Sequence, residues 1–276
     1  GTVDNCHADG STTIKGGLIY ETAVGNYTCN IINSTNKNNL NVTTRMGGIV
    51  RELGSSQNNF TNCQNFGNIT SNTVFVGGIV GHNKDNSTLS ATFYNCGNRG
   101  DIITTTNSYN TLCAGIAGRL NGTISYQYCY NTGTIKGAGG HIAGIFSSGS
   151  GTITIDHCYN LGNIESGAGA TKVDLCGISR HNVTSCFNAG TIIQRSDCYS
   201  DAAIYAVTPY ASNGAGCFNA GDMYSNFTNA NAFVDNGTNK TSHYNIARIH
   251  GLTSVVGGAY YDPKRVHSYT RAGSNG

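Results

Sequence analysis

Short apolar alternations separated by glycine-rich breaks run along the whole chain. "TISYQYC" from Thr123 and "GTITIDHC" from Gly151 alternate with period two. "NTVFVGGIV" from Asn72 is a brief apolar run ending on a glycine pair. Such segments read as short half-buried or buried strands. They are too brief and too rich in β-branched residues for helices, and no stretch of strong helix formers offsets the glycines. The expectation is an all-β chain.

The segments recur. Cys-x-Asn-x-Gly-x-Ile, with one Met variant, is written at Cys63, Cys96, Cys129, Cys158, Cys186 and Cys217, at spacings of 33, 33, 29, 28 and 31 residues. A second column falls between the copies: "GGLI" at Gly16, "GGIV" at Gly47, "GGIVG" at Gly77, "AGIAG" at Ala114 and "AGIF" at Ala143, fading into "CGIS" at Cys176 and "AAIY" at Ala202. Two out-of-phase columns with one period point to a solenoid. Each unit is read as one coil of a parallel β-solenoid (β-helix), with three strands and three corners. About seven coils of about 30 residues are expected, with Cys29 marking a degenerate early turn. Residues 1–223 form this repeat domain. Residues 224–276 lack the motif and form a C-terminal cap or subunit-linking segment, in which "GLTSVVGGAYY" at Gly251 is the most strand-like piece.

Stacking explains the motif. Equivalent residues of successive coils lie about 4.8 Å apart and build ladders of like side chains. Cys63, Cys96, Cys129, Cys158, Cys186 and Cys217 form an inward column of small, easily buried thiols, either reduced or bridged between rungs, since the rung spacing suits a disulfide. The motif Asn suits an inward amide ladder. The motif Gly suits a corner needing positive φ or close backbone approach. Cys6, Cys113, Cys176 and Cys198 fall outside the column and are the better disulfide candidates. The eleven cysteines are an odd number, so at least one is free or pairs outside the chain.

Composition narrows the function. Of 276 residues only 11 % are charged, and the net charge of +2 gives no footprint for nucleic acid or an anionic membrane. No apolar run reaches the length of a membrane span. With no secretory leader at Gly1, a mature chain or a fragment is expected. Eleven Asn-x-Ser/Thr sequons occur, at Asn26, Asn33, Asn41, Asn59, Asn68, Asn86, Asn121, Asn182, Asn226, Asn236 and Asn239. They are a modest excess over the roughly seven that such a composition gives by chance, and they make attached glycans an expectation.

"CYNTGTI" at Cys129 with "GGHIAGI" at Gly139, and "CQNFGNI" at Cys63 with "VGGIVG" at Val76, resemble the Cys-Tyr-Asn-x-Gly and GLUG-type repeats of large microbial cell-surface and adhesin-like proteins. The resemblance covers roughly residues 60–220. It implies an extracellular β-solenoid with a structural or adhesive role and no shared catalytic residues.

The sequence offers little for catalysis. The fourteen acids are scattered; Asp101 and Asp222 share a motif position but stand four coils apart, which does not suit a carboxylate pair. Asp156-His157-Cys158 has the residue types of a thiol nucleophile, but Cys158 is a ladder position. The eight histidines show no paired metal-ligand spacing. No catalytic residue, metal or cofactor is expected. One outward feature stands out: Tyr130, Tyr159, Phe187 and Phe218 follow the motif Cys in four consecutive coils. They form either an aromatic stripe for sugar rings or a partner, or a self-stacking ladder. With no recognisable cap at either end, head-to-tail self-assembly into a surface fibre is the leading expectation. A carbohydrate-binding adhesin module is the alternative, and a polysaccharide-degrading β-helix enzyme comes third.

Overall fold

The computed structural model describes residues 1–9, 17–84, 89–170, 172–195, 203–209, 216–224, 230–231, 243–245, 247, 249–250 and 270–272. Its described residues contain no α-helix. Five sheets run along one axis, and all but one of their strand pairings are parallel. The chain is a β-solenoid of about seven coils.

Each full coil has five strands rather than the three expected from the sequence. In one turn the chain passes through Ser55–Thr61, Gln64–Asn65, Ile69–Ser71, Phe75–Gly77 and Val80–Asn83. The extra corners are two- and three-residue bends, too short to leave a break in the hydropathy pattern. The first sheet stacks Thr2–Asp4 through Val183–Thr184, and the second begins at His7–Ala8. The third runs from Leu40–Val42 to Ile249–His250, the fourth from Met46–Gly47 to Ala230–Asn231, and the fifth from Ile19–Glu21 to Phe146–Ser148.

The core is a set of columns. Ile69, Ile102, Ile135, Ile164, Ile192 and Met223 are paired in register and fully buried. Phe60, Phe93 and Tyr126 stack face to face at 4.7 and 4.8 Å inside the first wall. Leu18 and Ile19 of the first coil pack against this core while staying partly exposed.

The register corrects three readings at the ends of the repeat. Cys29 pairs with Asn58 and lies outside the thiol column. The column is occupied there by Ser34, because Thr35 pairs with Gln64, and it begins at Cys6, because His7 pairs with Thr35. "CHADG" and "STNKN" are therefore the first two copies, with Ala8 and Asn38 at the Asn and Gly positions. The fading second column continues at Tyr205, opposite Cys176, rather than at Ala202.

Stacking also runs past residue 223. Phe218 pairs in parallel with Tyr244, and Met223 with Ile249, so "HYNIARI" takes the place of a further copy. Thr270–Ala272 then runs antiparallel along His243–Asn245. "GLTSVVGGAYY" lies outside the described residues.

Candidate functional site

The repeated polar groups are turned inward. Asn36, Asn65, Asn98, Asn131, Asn160, Asn188 and Asn219 are fully buried. Each amide Nδ2 from Asn36 to Asn188 donates to Oδ1 of the next rung at 2.7–2.9 Å. The same nitrogen also donates to a backbone carbonyl two residues ahead, as from Asn131 to Gly133 at 2.8 Å. Every amide inside the ladder is thus satisfied by its neighbours.

The motif glycine is explained by close approach. A Cβ on Gly133 would lie 2.1 Å from the Gly100 carbonyl oxygen, and one on Gly162 would lie 1.9 Å from that of Gly133. The positive φ falls elsewhere, on the residue before the thiol column. Asn33, Asn62, Asn95, Tyr128, His157 and Ser185 have φ between 49° and 56° there. The recurrent Asn-Cys pair at 62–63 and 95–96 carried that signal, since Asn tolerates the left-handed region. The second column faces the amide ladder: a Cβ on Gly48 would lie 2.5 Å from Asn65 Oδ1, and one on Gly115 would lie 2.7 Å from Asn131 Cβ. The two sequence columns are the two sides of one narrow passage.

Cys63, Cys96, Cys129, Cys158, Cys186 and Cys217 are buried in one column, and all ten described cysteines are free thiols. Burial pushes the Cys96 and Cys158 thiols well up, and that of Cys217 up to about 12. Burial thus holds the sulfurs of Cys96, Cys158 and Cys217 neutral. Cys113 and Cys176, expected to be disulfide candidates, are buried singly in other columns, Cys113 opposite Val76 and Ile142. Cys6 belongs to the ladder, and Cys198 lies outside the described residues. In Asp156-His157-Cys158, the half-exposed His157 contacts Asp156 Oδ2 at 2.8 Å while Cys158 points into the core. No nucleophile is assembled. Among the described residues no three His, Cys, Asp or Glu side chains cluster to hold a metal.

The outward aromatic column exists, but its ring faces are occupied. Tyr130 and Tyr159 stack at 5.4 Å and 10°, and Tyr159 and Phe187 at 5.1 Å and 8°. Phe218 continues the register opposite Phe187. Tyr130 is only 7 % exposed, resting on Gly97 with the Arg99 guanidinium against its ring and hydroxyl. A sugar ring stacks on an open aromatic face; parallel rings one coil apart present mainly their edges. This geometry fits a self-stacking ladder.

The sequons divide by burial. Asn26, Asn33, Asn41, Asn68 and Asn182 are exposed and Asn59 is half-buried. Asn33 and Asn59 already donate Nδ2 to Asp4 and Asn30 respectively. Asn121 is a correction: it is 5 % exposed and its Oδ1 accepts the Ser150 N–H, so a glycan has no route to it. Asn86, Asn226, Asn236 and Asn239 lie outside the described residues.

The opposite side of the coil, where the fourth and fifth sheets meet, carries ionisable residues that mostly change from coil to coil. One column reads Glu21, Glu52, His82, Arg119 and Ser148; the other reads Phe75, Leu112, His141 and Asp174, with Arg45 beginning it next to Met46. Glu52 pairs with Arg51 at 2.8 Å, and Asp174 lies 3.1 Å from His141 and 3.6 Å from Arg180. Burial lowers the His82 pKa. Seven residues separate Thr104 from Leu112, against three between Ser71 and Phe75, and this longer loop overhangs the two columns. The result is a cleft of about 580 Å³ lined by Arg45, Phe75, Tyr109, Arg119 and His141 among others. Sequence reasoning missed it, because its residues, His141 of "GGHIAGI" included, stand at positions that the repeat does not hold constant.

Comparison of the chain with family profiles, with curated proteins and with solved structures finds no match.

Proposed function

We propose that this chain is a non-catalytic, extracellular, N-glycosylated scaffold, a rigid β-solenoid forming the repeat part of a surface structure. One observation carries the reading. The recurrent thiols and amides, the only chemistry the repeat supplies, are buried and used up within the stack, while five sequon asparagines stand exposed outside it. Conserving side-chain chemistry from coil to coil in this way serves the rod itself. No helix among the described residues is long and apolar enough to cross a membrane.

Two forms of the scaffold are compatible with the fold. Head-to-tail assembly needs open strand edges at both ends. Among the described residues the strands Thr2–Asp4 and His7–Ala8 each pair on one side only. At the other end Thr270–Ala272 lies antiparallel on the last strand of the second sheet and closes the edge a parallel neighbour would use. That closure favours a discrete adhesive unit over a filament built through this sheet. Sedimentation and negative-stain microscopy of the purified chain separate the two forms: a monodisperse monomer supports the adhesive unit, and filaments support the fibre. A mass of 28.9 kDa for the protein from its native source would remove the glycoprotein part of the proposal.

A further inference from the structure

The charged residues of the cleft between the fourth and fifth sheets are not all neutralised. The Arg45 and Arg119 guanidinium carbons both lie over the ring of Phe75, at 4.9 and 5.0 Å from its centroid. Neither arginine has a carboxylate within ion-pair distance among the described residues, whereas neighbouring Arg51 and Arg180 have Glu52 and Asp174. Two guanidiniums held against one ring, in a concave site, repel each other unless an anion lies between or beside them. The ring contributes cation–π attraction and fixes the position of both groups.

Beside the apolar Val74 and Leu112, the rest of the lining is polar and can meet hydroxyls. Ser108, Tyr109 and Asn110 on the overhanging loop face Ser148 and Arg119 across the cleft. Tyr109 is itself held in place, edge-on to His141 at 5.3 Å and with the Lys172 ammonium 5.2 Å from its ring centroid. A neighbouring depression of about 480 Å³, lined by Thr43, Thr44, Arg51 and Thr73, shares Arg45 and Val74 with the cleft and lengthens it toward the N-terminal coils. The ligand matching this surface has negative groups at intervals and many hydroxyls. From these residues we infer that the cleft binds an acidic polysaccharide, with Arg45 and Arg119 pairing its carboxylates or sulfates. Guanidinium forks suit both groups, and the serine, threonine and asparagine side chains serve the sugar hydroxyls. The inference rests on the scaffold reading only for where the ligand is met; a monomer and a filament both carry the cleft.

The test uses the full chain and four probes in isothermal titration calorimetry: a heparin octasaccharide, an oligogalacturonate, a neutral dextran oligosaccharide and inorganic sulfate. The expected result is binding of at least one acidic oligosaccharide, weakening with added salt, with none for dextran. The preferred probe distinguishes sulfate from carboxylate recognition. Arg45→Gln and Arg119→Gln should each weaken binding about tenfold or more, the loss of a charge-assisted contact, while Lys37→Gln, a surface change outside the cleft lining, leaves it unchanged. Thermal melts of each variant confirm folding, and Tyr109→Ala supplies a second change in the cleft wall. Equal binding by the double arginine variant, binding of dextran as strong as that of the acidic probes, or no binding of either acidic probe would overturn the proposal. Sulfate binding as tightly as the oligosaccharides would reduce the cleft to a simple anion site and overturn its polysaccharide part.

Discussion

The two long sides of this solenoid are built on opposite principles. On the thiol and amide side, rung follows rung with the same residue: Asn65 donates to Asn98, Asn98 to Asn131, and Asn131 to Asn160. On the other side the rungs change along the column, as in the run Glu52, His82, Arg119, Ser148, and only Glu21 and Glu52 are a like pair. An identical ladder of neutral amides satisfies itself and offers nothing outward. Like charges one coil apart repel, so the adjacent Glu21 and Glu52 each have a cation of their own, Lys84 and Arg51, and beyond them the second side varies from coil to coil. Variation leaves room for groups whose partner is not in the chain.

The largest expected effect comes from breaking the amide ladder in its middle. Asn131→Ala removes the acceptor of Asn98, the donor to Asn160 and the donor to the Gly133 carbonyl, all in a dry interior. Leaving such groups unpaired costs about 1–3 kcal/mol each, so a loss of roughly 3–6 kcal/mol is expected in chemical denaturation. A variant with an unchanged denaturation midpoint would show that the ladder is incidental.

The second contrast is in pH response, and it concerns the variable side. His181 packs on Phe146, and burial lowers its pKa from 6.5 to about 4. The unfolded chain takes up a proton below pH 6.5 while the folded one does not until about pH 4. The unfolded state therefore binds more protons in that window, and stability falls as pH drops through it, by as much as about 3 kcal/mol. On the thiol side Cys217 responds to alkali. With the Cys217 pKa up to about 12 from 9.0, the unfolded state loses its proton first, and stability declines as pH rises from about 9 toward 12. Denaturation midpoints between pH 4 and 11 check both arms. His181→Phe should flatten the acid one.

A smaller effect is expected from Gly133→Ala. Its Cβ would sit 2.1 Å from the Gly100 carbonyl oxygen, a backbone atom that cannot swing aside, and overpacking of this kind costs about 1–3 kcal/mol. Thermal melts of the variant read it directly. The smallest change is Phe187→Ala in the outer aromatic column. Phe187 is 37 % exposed and stacks on Tyr159, so about 1 kcal/mol should be lost. A loss as large as that of Asn131→Ala would mean the outer stack is as structural as the inner ladder.

Periodicity by itself determined the class of this protein. Two columns sharing one period imply stacked coils whatever the corners look like, because only stacking lets the same small set of residues be buried again and again. The inward direction of the motif Cys and Asn followed from strand alternation. The end copies were harder to read: "STNKN" and "HYNIARI" lack the cysteine, and Cys29, the nearest thiol, sits five residues out of register with Ser34. Hydrogen-bonded pairing, not residue identity, fixes such positions. The number of strands per coil was likewise decided in three dimensions, since two-residue corners leave no mark on hydropathy. The same holds for the burial of Asn121 and for the loss of open ring faces along Tyr130, Tyr159 and Phe187. The cleft was least legible of all. Arg45, Phe75 and Arg119 belong to three different coils and to no motif, and they meet only because the wound chain brings sequence-distant rungs within a few ångströms along the axis.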